Sequence, residues 1–65
     1  MKRVALVIIG DEILDGSVQD TNSGFLTRRV AALGSQVIRI IVLPDEPAIV
    51  AQELSSAAAA ADYVI

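Results

Sequence analysis

The chain has 65 residues, no cysteine, no histidine and a formal net charge of −3. A disulfide framework is therefore excluded, the commonest zinc ligand is missing, and no Ser/His/Asp or Cys/His catalytic arrangement can be assembled. Hydrophobic content of 54% is too high for disorder, aromatic content of 3% requires an aliphatic core, and the acidic balance argues against nucleic acid as the main partner. The longest apolar run, Val4 to Ile9, is far too short to span a bilayer and lacks the length and cleavage site of a signal peptide. A cytoplasmic protein with no membrane partner is expected.

Val4-Ala5-Leu6-Val7-Ile8-Ile9 is rich in β-branched residues and does not alternate with polar ones. That pattern fits a strand covered on both faces, as in a parallel sheet, and Gly10 stops it. Gly10 to Gln19 reads as a loop, with Ile13, Leu14 and Val18 expected to fold down onto neighbouring helices. Asp20, Thr21, Asn22 and Ser23 are all good helix caps, so a helix begins near them. Leu26, Val30 and Leu33 give it one apolar face, with Phe25 beside them, and Gly34 ends it in the left-handed conformation. Gln36 to Leu43 is a second strand, placed nearer an edge because Arg39 interrupts its apolar run; Pro44 ends it. Asp45-Glu46-Pro47 opens a second helix, with either acidic residue as its cap. Val50, Leu54, Ala57 and Ala61 form its stripe, widened by Ile49 and Ala58. Asp62-Tyr63-Val64-Ile65 begins a third strand.

The pattern is β-α-β-α-β, an α/β fold of the three-layer type. Two crossover helices joining three strands imply a parallel sheet with right-handed connections. The order 2-1-3 is expected, with the first strand central because its apolar run is uninterrupted. Ligands of such sheets bind at the carboxyl ends of the strands. Three constellations are carried to that edge. Gly10-Asp11-Glu12 offers close backbone approach and two carboxylates that suit a divalent cation holding phosphate oxygens; the plainer reading is a solvated acidic loop. Asp20-Thr21-Asn22 is a helix cap or a polar corner facing ligand, and one residue can cap while Asp20 or Asn22 contacts ligand. Pro44-Asp45-Glu46-Pro47 sits at a helix start, where a carboxylate can fill the anion site itself or Asp45 can lie beside the first loop. Arg28 and Arg29 read as a solvated face, and Tyr63 as packing.

Gly10-Asp11-Glu12-Ile13-Leu14, Gly16, Gln19-Asp20-Thr21-Asn22, Leu33-Gly34 and Val42-Leu43-Pro44-Asp45-Glu46 occur in this order. As an ordered set they resemble the molybdopterin-binding domain family of molybdenum-cofactor biosynthesis proteins. The resemblance covers essentially the whole chain. It is nearest to the branch of competence-damage-inducible protein A and the amino-terminal part of eukaryotic FAD synthases. It implies molybdopterin or a nucleotide as ligand, Mg2+ or another divalent cation, and a homo-oligomer. It implies Asp45 as the catalytic residue, Gly10, Asp11, Glu12, Asp20, Asn22 and Glu46 as ligand-binding, and Asp11 with Asp45 as metal ligands. The family continues into a Thr/Ser-Gly-Gly loop, a Gly-Pro-Thr and an acidic pair, which do not occur here. Residues 1–65 are thus expected to be the amino-terminal half of such a domain, without a complete site or a stable monomer of their own.

Three functions remain open on the sequence. The chain is a pterin- or nucleotide-binding module. Alternatively it belongs to an enzyme, either a metal-dependent hydrolase of an ADP-ribose-like pyrophosphate or a molybdopterin adenylyltransferase. Or it is an inactive structural fragment whose sheet edge pairs with other chains.

Overall fold

β1 (Arg3–Ile9) is the centre of the molecule because its side chains are apolar on both faces. In the computed structural model, which describes residues 1–65, it is followed by α1 (Asp11–Leu14), α2 (Asn22–Ala32), β2 (Gln36–Leu43), α3 (Pro47–Ala60) and β3 (Tyr63–Val64). The sheet has three strands in the order β2-β1-β3, with both pairings parallel. This is the expected β-α-β-α-β topology, with the first strand in the middle.

Alternation along β1 divides the core between the two layers. Val4 and Leu6 pack with Val30 of α2, with Leu26 and Val37 against them. Ala5 points the other way and is fully buried, as is Ala57 of α3, the helix that crosses β1. Two alanines at this crossing let the helix approach the sheet closely, at the cost of little buried area. Leu6 is the largest fully buried side chain. The register of β1 with β2 shifts between Val4 and Ala5, so Ile38 is an extra residue on β2. The bulge lies beside Arg39, on the edge strand, where bulges and charges are common.

The helix boundaries follow local chemistry. Asp20 accepts hydrogen bonds from the Asn22 and Ser23 N–H groups, at 3.0 and 3.1 Å, and so caps α2 from one residue before the geometric cap, Thr21. Gly34, at φ +84°, closes the same helix. Its N–H donates to the Ala31 carbonyl at 3.0 Å and the Ser35 N–H donates to Val30 at 3.1 Å, the paired bonds of a Schellman motif. Glu46 is the cap of α3 and Pro47 its first residue, but the Glu46 side chain makes no capping bond.

Several expectations are corrected. The segment after β1 is not all loop: Asp11–Leu14 forms one helical turn. The Gly10 carbonyl accepts from the Ile13 and Leu14 N–H groups, and two acidic residues in the first turn favour the helical N-terminus. Leu14 and Val18 do not fold down onto helices; they are half exposed, because a single turn is too short to aim both at the core. Leu33 and Phe25 also face solvent, Leu33 because it lies where α2 has already ended and Phe25 because the buried face runs through Leu26 and Val30. On α3 the covered side runs through Ile49, Val50, Glu53, Ala57 and Ala60, leaving Leu54 and Ala58 exposed. Coverage of β1 fades toward its carboxyl end, where Ile9 is exposed. Tyr63, expected to pack, is exposed on the edge strand.

Candidate functional site

The carboxyl ends of β1 and β2 are joined by backbone. The Gly10 N–H donates to the Leu43 carbonyl at 3.0 Å, so the two loops that leave these strands start side by side. The loop after β1 turns at once into α1. The loop after β2 makes a three-residue turn centred on Asp45, in which the Glu46 N–H donates to the Pro44 carbonyl at 2.9 Å. Proline supplies no N–H at the strand end, and its fixed φ helps the chain leave the sheet.

A side chain then bridges the loops. The Asp11 carboxylate accepts a hydrogen bond from the Asp45 N–H through Oδ1, at 3.2 Å, across 34 positions of sequence. Asp11, Glu12, Asp45 and Glu46 are all exposed. Gly10 is buried and extended, with φ 174° and ψ 116°. The space beside its Cα holds the Glu12 carboxylate: a Cβ built there would lie 2.9 Å from Glu12 Oε1 and 3.2 Å from its Cδ. Gly10 thus gives up side-chain volume that Glu12 occupies. The Glu12 carbonyl accepts from the Val18 N–H at 3.0 Å, which folds the following turn back over α1.

Asp20 and Asn22 form a second group. They are tied to one another at the start of α2, and no hydrogen bond links either of them to Asp11 or Asp45. The Asp20 carboxyl is held below its ordinary value of 3.8, first by the Ser23 side chain and then by the Ser23 N–H; the Asn22 N–H adds to this. Each favours the charged form.

Two further carboxylates, Asp15 and Asp62, also find hydrogen-bond partners. Asp15 accepts from the Ser17 hydroxyl and, at 2.8 Å, from the Ser17 N–H, and its carboxyl is lowered chiefly by the hydroxyl. Asp15-Gly16-Ser17, with Gly16 at φ +85°, carries a readable turn signal. Asp62 accepts from the Arg3 N–H at 2.8 Å, which lowers its carboxyl, and lies 3.8 Å from the Arg3 guanidinium. This tie closes the amino edge, away from the candidate site, and no local sequence signal announces it.

Asp11 and Asp45 are the carboxylates at this edge that could hold a divalent cation such as Mg2+, which is commonly held by one or two carboxylates together with substrate phosphates. No group of three or more acidic residues forms an all-protein cage. No helix is long and apolar enough to cross a membrane.

Comparison with known proteins agrees with this fold. Over 64 residues the chain is 48% identical to the "Probable FAD synthase" of Caenorhabditis briggsae, covering 98% of this chain and 12% of that protein. It is 40% identical over 63 residues to a "CinA-like protein" of Myxococcus xanthus, covering 97% of this chain and 15% of that one. The crystal structure of the protein CinA from Thermoplasma acidophilum, described as of unknown function, superimposes with a TM-score of 0.93 at 28% identity, over 97% of this chain and 38% of that chain. The chain therefore spans well under half of each of these relatives. Residues 5–65 match the family described as "Probable molybdopterin binding domain", and the chain belongs to that molybdopterin-binding domain family.

Proposed function

We propose that the carboxyl edge of the sheet binds the phosphate-bearing part of a pterin or nucleotide, with Mg2+ or another divalent cation between ligand and protein. The single observation that carries this reading is the Asp11 to Asp45 bond, which draws the loops of two adjacent parallel strands together where ligands of such sheets bind. Gly10, Asp11, Glu12, Asp45 and Glu46 form the near part of the site. Asp20 and Asn22 form an outer wall at the start of α2. Kinship with proteins named FAD synthase favours a ligand that contains a nucleotide. The cation, when bound, offsets the negative charge that these carboxylates would otherwise set against a phosphate. Asp45 is the residue assigned to catalysis if the ligand is also turned over.

Calorimetric titration of the protein with ADP-ribose, in MgCl2 and again in EDTA, tests the reading. Saturable binding in MgCl2 and none in EDTA is expected. Absence of binding to ADP-ribose and to a phosphorylated pterin under both conditions refutes it. A second reading, hydrolysis of the pyrophosphate, rests on the carboxylates gathered at this edge; AMP appearing during the titration supports it. The reading also takes the protein to work as a homo-oligomer, supported by the exposure of Phe25 on α2. A single species of monomer mass in sedimentation would exclude that part.

A further inference from the structure

We propose that Asp11 is a positioning residue, which holds the Asp45 turn through an accepted hydrogen bond rather than binding cation or ligand with its charge. The inference rests on the site proposed above and changes the role of one of its residues. Asp45 sits at the centre of a three-residue turn, the tightest kind of backbone reversal, closed by the Glu46 N–H to the Pro44 carbonyl. Such a turn in an exposed loop has little packing to fix it. Its central N–H points outward, and here it finds Asp11 Oδ1 at 3.2 Å. The Asp45 side chain makes no hydrogen bond of its own and is exposed.

The division of labour follows from these partners. Asp11 is anchored at its own end by helix α1, where its carbonyl accepts from the Asp15 N–H at 3.0 Å. Its carboxylate reaches across 34 residues to the neighbouring loop. The task requires an acceptor oxygen at that place, and an amide oxygen meets it as well as a carboxylate oxygen. Holding a divalent cation requires the charge as well, which an amide lacks.

The two roles separate in Asp11→Asn. Positioning predicts that Asp11→Asn keeps the Asp45 amide protected from hydrogen exchange to within about twofold of the unmodified protein. Asp11→Ala and Asp11→Leu, which lack an acceptor (the second being close in size to asparagine), exchange that amide up to about tenfold faster, the range of one ordinary hydrogen bond. Affinity for ADP-ribose in MgCl2 follows the same order, with Asp11→Asn binding more tightly than Asp11→Ala and Asp11→Leu. Two results overturn the proposal. One is Asp45 exchange in Asp11→Asn as fast as in Asp11→Ala. The other is an Asp11→Asn variant that keeps the amide protected but binds no better than Asp11→Ala, which makes Asp11 a charge-dependent ligand. If the unmodified protein binds neither ADP-ribose nor a phosphorylated pterin, the proposed function fails, while the exchange measurement still decides what Asp11 holds.

Discussion

Gly10→Ala separates the demands of the fold from those of the site. The backbone at Gly10 is extended, with φ 174°, a conformation open to any residue, and its N–H bond to Leu43 is untouched by an added methyl. The three nearest atoms to the new Cβ all belong to Glu12, at 2.9, 3.2 and 3.4 Å. Glu12 is exposed, so its carboxylate can swing into water; remaining off its rotamer would cost about 0.5–1.5 kcal/mol. Replacing glycine also removes freedom from the unfolded chain, which stabilises by about 0.4–1 kcal/mol. The two effects nearly offset, and the stability change should stay within about 1 kcal/mol, or roughly 4–8 °C in Tm for a domain of this size. Gly34→Ala provides the contrast. No heavy atom lies within 4 Å of its would-be Cβ, yet φ +84° makes it costly, by about 1–2 kcal/mol. Urea unfolding followed by circular dichroism ranks the two variants. Titration with ADP-ribose in MgCl2 should show the reverse order: Gly10→Ala loses about tenfold or more in affinity, because the Glu12 carboxylate is driven from its place, while Gly34→Ala keeps it. If Gly10→Ala unfolds more readily than Gly34→Ala, the backbone at Gly10 is constrained by more than Glu12. If its affinity is unchanged, Gly10 and Glu12 lie outside the site.

Leu6→Ala empties the best-buried position of the core and should cost about 2–5 kcal/mol, whereas Ile9→Ala, at 47% exposure, should cost far less; equal losses in urea unfolding would contradict the burial pattern. Ala57→Leu forces bulk into the crossing of α3 over β1 and should destabilise by about 1–3 kcal/mol, a cost that no change would disprove. The Asp15, Asp20 and Asp62 carboxyls are lowered in the folded state, so what they add to stability is complete above their ordinary value of 3.8 and is lost as pH falls through their native values. Melting curves from pH 6 to pH 2 should therefore drop below about pH 4, and Asp20→Asn with Asp62→Asn should flatten the drop; an identical drop in the double variant rules out this linkage. Asp45→Ala should abolish cation-dependent ADP-ribose binding or turnover with Tm little changed, and unaltered binding and turnover would exclude Asp45 from the site.

The elements of this protein are legible in its sequence because their signals are local. An unbroken aliphatic run makes Val4 to Ile9 the central strand, Gly34 supplies the one left-handed residue that ends α2, and Pro44 and Pro47 bracket the turn into α3. The parallel order 2-1-3 follows from the same signals, the unbroken apolar run of β1 against the Arg39 interruption in β2 placing β1 in the centre. The same topology puts Asp11 and Asp45 at one edge before any coordinate is known. What the sequence leaves open depends on distance in space. Whether Asp11 meets Asp45 through charge or through a backbone N–H is set by a turn geometry that residue types do not encode. The exposure of Leu14, Val18 and Leu33 is decided by where short helices stop, a matter of one or two hydrogen bonds against the reach of a side chain. The Arg3 and Asp62 tie needs strands β1 and β3 already paired, since the contact spans 59 positions and nothing near either residue in sequence favours it. Local chemistry chose the elements; packing the strands side by side chose which polar atoms could find one another.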